Sequence, residues 1–66
     1  MNKNELRLNT LKQSTTRNAK VCKDHAEACA VVGMNVMEGY WLRQAAAWEN
    51  SGDIIDTVIN DIKNGV

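Results

Sequence analysis

Cys22, His25 and Cys29 are the residues whose types best suit metal or thiol chemistry. Spaced by three and then four, they share one face of a continuous helix and would offer a soft metal two thiolates and an imidazole. Two features weigh against that use. A closed zinc site takes four ligands, and the chain has no further His or Cys. Asp24 followed by Glu27 also has the spacing of a helix start, and a helix beginning there would carry Cys22 off the shared face. A disulfide is excluded too, because seven residues of helix separate two Cα atoms by about 10 Å. The expectation is a pair of reduced thiols, no metal and no cofactor.

Catalysis finds little to work with. The lone His25 has no serine at a nucleophile elbow, and both cysteines fall within helical sequence rather than at an activating helix N-terminus. Asp53, Asp56 and Asp61 are spaced like the solvated face of a helix. A chain of 66 residues could hardly shield an acid–base pair from water. No glycine-rich phosphate loop is present, and neither an enzyme nor a small-molecule substrate is expected.

The segment Ala28-Cys29-Ala30-Val31-Val32-Gly33-Met34-Asn35 resembles the core of a helix-turn-helix. In that family a small residue precedes the turn glycine by four, an apolar residue follows it, and a polar residue caps the recognition helix. Cys29, Gly33, Met34 and Asn35 occupy those slots, and Gly39 stands where the family places a branched apolar residue. The resemblance runs from His25 to Gln44. It implies a DNA-binding transcriptional regulator whose groove-facing residues are Asn35, Val36, Met37, Tyr40 and Trp41, with phosphate contacts from Arg17, Lys20 and Lys23. Most of those groove-facing side chains cannot hydrogen-bond base edges, and Glu38 would also repel phosphate.

The three aromatics, Tyr40, Trp41 and Trp48, crowd into nine residues, and Tyr and Trp are the side chains most enriched at binding hot spots. Val36, Met37, Tyr40 and Trp41 together form the expected partner-binding surface. Trp48 is assigned to the core, opposite an isoleucine stripe.

Proline is absent and no alternating strand pattern occurs, so the elements that must position these side chains are helices. Asn2 with Glu5, Asp24 with Glu27 and Asn35 with Glu38 each have capping-box spacing, and Asn50-Ser51-Gly52-Asp53 reads as a further stop and start. These signals predict a single all-α domain over residues 1–66, a compact bundle of three to four short helices with helix-turn-helix character. A basic first helix spans 3–20, frayed at Ser14-Thr15-Thr16, and others span 25–32, 36–50 and 53–63. The rival is one long helix from Thr16 to Asn50, which Gly33 and Asn35 would have to permit. In the last helix Ile54, Ile55, Val58, Ile59 and Ile62 form one apolar stripe. The helix before it is apolar around most of its circumference, more than a chain this short can cover, so self-association or a partner protein is expected to complete the fold.

Net charge is zero but unevenly placed: residues 1–23 are net +5 and residues 24–66 net −5. Such a dipole suits a basic arm for nucleic acid, an acidic patch for a basic protein, or mutual attraction of the two ends. Glu27, Asn35, Glu38 and Arg43 interrupt the most apolar stretch short of a membrane span. Without a signal segment at the start or a cysteine framework, the expected compartment is the cytoplasm. The functional expectation is a small non-enzymatic interaction module, a regulator or inhibitor that binds a larger protein or its own copy. The DNA-binding regulator is the alternative.

Overall fold

The computed structural model describes residues 2–65, and among them it contains two helices, α1 (Lys3–Val31) and α2 (Asn35–Lys63), each of 29 residues. The all-α expectation holds. The expected bundle of three to four short helices does not: the segments 3–20 and 25–32 are one helix, and so are 36–50 and 53–63.

The ends of these helices follow from local chemistry. The side chain of Asn2 accepts from the Glu5 amide at 2.8 Å, which is the expected N-cap. At the other end of α1, Gly33 takes φ +78°, a conformation in which a Cβ is strained. The Gly33 amide donates to the Ala30 carbonyl at 3.1 Å and the Met34 amide to Cys29 at 2.8 Å, the paired bonds of a Schellman motif. This stop also breaks the alternative long helix from Thr16 to Asn50. Helix α2 then starts at Asn35, but Met34 holds the N-cap position and no side chain bonds there, so the Asn35–Glu38 capping box does not form.

The other two expected boundaries are absent, and their residues are engaged otherwise. Asp24 pairs with Lys20 one turn earlier at 3.3 Å instead of capping a new helix. Gly52 is buried in mid-helix against Thr15. Nor does α1 fray at Ser14-Thr15-Thr16. There the hydroxyls of Ser14 and Thr15 donate back to the carbonyls of Thr10 and Lys12, at 3.3 and 2.7 Å, and so stay within the helix.

The two helices lie antiparallel, since Lys12 meets Asp56, Thr15 meets Gly52, Lys23 meets Glu49 and His25 meets Trp41. Buried and half-buried residues recur in steps of three and four on α1, at Leu8, Lys12, Thr15, Ala19, Cys22, Ala26 and Cys29; on α2 Trp41, Ala45, Trp48, Gly52, Ile55, Ile59 and Ile62 keep the same steps, all buried or half-buried except Trp48. That is the seam of a coiled-coil hairpin. Its middle is lined by small residues, which let two helices approach closely. Helix-turn-helix elements instead cross at about 90–120°. The result is a thin rod with principal extents of 49, 16 and 9 Å. No helix among the described residues is long and apolar enough to cross a membrane.

Candidate functional site

The seam divides the rod into two broad faces. In an antiparallel pair, the positions following the seam residues on one side of each helix come together, and those on the other side likewise. One face is charged. Lys23 pairs with Glu49 at 2.5 Å and Lys12 with Asp56, and Lys12, Lys23 and Glu49 border a shallow groove that also takes in Thr16, Lys20 and Asp53.

The opposite face carries almost no charge. From Leu11 to Ala28 on α1 and from Met37 to Val58 on α2, none of the residues flanking the seam on that side is Asp, Glu, Lys or Arg. Six large apolar side chains stand there between 40% and 57% exposed: Leu11, Val21, Met37, Tyr40, Ile54 and Val58. His25 sits among them with its ring centroid 4.6 Å from that of Trp41, and Tyr40 meets Trp41 in a T-shaped pair with centroids 5.1 Å apart.

A third apolar surface lies at the turn. Val31, Val32 and Val36 are 80%, 68% and 85% exposed, and Met34 lies beside them half-exposed. Against all this surface, among the described residues no side chain is fully buried, and the core consists of Ala19, Cys22, Ala26, Ala45, Ile55 and Ile59. The hairpin leaves more large apolar side chains outside its seam than within it.

The expected partner-binding residues are therefore split by the fold. Val36 belongs to the turn tip, Met37 and Tyr40 to the uncharged face, and Trp41 lies partly inside the seam on His25. Trp48 occupies a seam position yet remains 38% exposed, and the Ile stripe it was expected to oppose continues its own helix. Sequence reasoning did not single out Leu11, Val21 or the tip residues Val31 and Val32. The signal for the first pair lay in the three–four spacing of α1, whose seam is too polar to stand out.

Of the expected phosphate contacts, Lys20 and Lys23 each have a carboxylate partner, Asp24 and Glu49, while Arg17 is exposed on the outer edge of α1. Cys22 is buried in the seam, Cys29 half-buried, and His25 faces outward, so the three do not converge. Among the described residues no group of three His, Cys, Asp or Glu side chains is placed to hold a metal ion. Asp56 is taken up by Lys12, whereas Asp53 borders the groove and Asp61 stands on the opposite face. Comparison with protein-family models, with curated proteins and with solved structures finds no significant match to the chain.

Proposed function

We propose that this chain is a non-enzymatic protein-interaction module, a small regulator or inhibitor that acts by covering part of a larger protein. The observation that carries this reading is the distribution of apolar surface: Val31, Val32, Met34 and Val36 project from a tight turn closed by the Gly33 and Met34 amides, where a monomer gains nothing from them. A rigid tip of branched side chains enters a partner's apolar pocket at little entropic cost, because valine has few rotamers to lose. The DNA-binding reading draws support only from the net positive charge of α1, and three of its lysines, Lys12, Lys20 and Lys23, already have carboxylate partners within the chain.

A photo-crosslinking amino acid placed at Val36, in cells that make the protein, tests the proposal. The expected result is a discrete adduct with a larger protein that disappears when Val32 and Met34 are both changed to Asp. Salt-sensitive binding to random duplex DNA, together with the absence of any adduct beyond the chain itself, would overturn it in favour of phosphate contacts.

A further inference from the structure

We infer that the uncharged broad face is closed by a second copy of this chain, laid on it about a two-fold axis parallel to the rod, to give a four-helix bundle. The inference concerns a different surface from the turn tip and stands independently of what the tip binds.

The size of the face fits this occupant. A rod 49 Å long and 16 Å wide offers a footprint of about 780 Å², close to the ~800 Å² that each partner contributes to a stable interface. Six apolar side chains spread along it, from Leu11 and Val58 toward the open end to Met37 and Tyr40 near the turn, so the contact would run most of its length.

Charge selects both the partner and the axis. Helix α1 carries six Lys or Arg against three Asp or Glu, net +3, and α2 carries two against five, net −3. An axis parallel to the rod lays α1 of each copy on α2 of the other, antiparallel, with both turns at the same end. An axis across the rod would instead stack α1 on α1 and α2 on α2, helices of like net charge, although most of that charge lies on the far side of the rod. The only Arg and the only Asp on this face, Arg7 and Asp61, sharpen the distinction. They lie on different helices at the same level of the rod, one step beyond the Lys12–Asp56 pair toward the open end. Under the parallel axis Arg7 of each copy meets Asp61 of the other, twice in the dimer. Under the transverse axis each would lie against the apolar end near the turn, unpaired. Such self-complementarity is what an isologous contact requires.

The arrangement brings two apolar tips side by side at one end. A bundle of this kind would present them as a bivalent surface.

Sedimentation equilibrium of the full chain tests the inference. The expected mass is twice the 7.4 kDa of the chain. Ile54→Lys, at a side chain 57% exposed in the hairpin, should weaken the dimer at least about tenfold, while Leu42→Lys on the charged face, at 50% exposure, should leave it intact. Arg7→Asp and Asp61→Arg should each weaken the dimer by about three- to tenfold, and the two together should restore it. That rescue keeps the test decisive even if Ile54→Lys unfolds the chain. A helical monomer at tens of micromolar would overturn the inference, as would a dimer weakened by Leu42→Lys and not by Ile54→Lys. Failure of the charge-reversed pair to restore association would overturn the parallel axis. None of these outcomes bears on crosslinking from Val36, so failure of one proposal is separable from failure of the other.

Discussion

A Cβ added at Gly52 would stand 2.9 Å from Oγ1 of Thr15, closer than real Cβ contacts come. Thr15 cannot easily turn away, because that hydroxyl donates to the Lys12 carbonyl at 2.7 Å and the residue is only 3% exposed. A glycine in mid-helix ordinarily costs ~1 kcal/mol relative to alanine, so its presence here reflects the space between α1 and α2.

Gly52→Ala is accordingly expected to destabilise the protein by about 1–3 kcal/mol, against the gain its helix propensity predicts. Thr15→Ala removes the obstructing oxygen, and the double variant should be more stable than the sum of the single effects. Thermal melts of the four chains form the cycle, and strict additivity would mean that the two residues do not touch.

Gly33 isolates a backbone effect. Nothing lies within 4 Å of a Cβ built there, yet its φ of +78° places it in the left-handed region. Gly33→Ala should cost about 1–2 kcal/mol from conformation alone, and Gly33→Asn noticeably less, since Asn tolerates that region. Equal losses for the two substitutions, read by chemical denaturation, would point to a steric cause instead.

The pairs that tie the helices together, Lys12–Asp56 and Lys23–Glu49, are between a third and three-fifths exposed, so solvent screens them. Breaking either one by Asp56→Asn or Glu49→Gln should cost no more than about 1 kcal/mol, and less at 1 M salt than at low salt. A larger loss that persists in high salt would show that these groups act through packing rather than charge.

Part of this architecture was legible in the residues. Asn2 with Glu5 marked the start of α1, and Gly33 was recognised as the residue that must decide whether the chain turns. Asp24 and Gly52 misled because they carry the same local signals without the same outcome. Asp24 found Lys20 on its own helix, and Gly52 found Thr15 on the other. For Trp41 and Trp48, composition indicated that large rings had to be placed but not which would sit beside His25.

Helical propensity, the absence of proline and the Asn2 cap are short-range properties, and the sequence alone determined them because each depends on residues within one or two turns; Gly33 marked where a turn could fall, and the structure decided it against a helix running on to Asn50. The continuity of α1 through Asp24 and of α2 through Gly52, the division into charged and uncharged faces, and the exposure of Val36 beside the partial burial of Trp41 were decided only by the tertiary structure. A cap or a helix-stopping glycine is worth about 1 kcal/mol. Such a preference is outweighed when carrying the helix onward brings a whole further seam into contact with the partner helix.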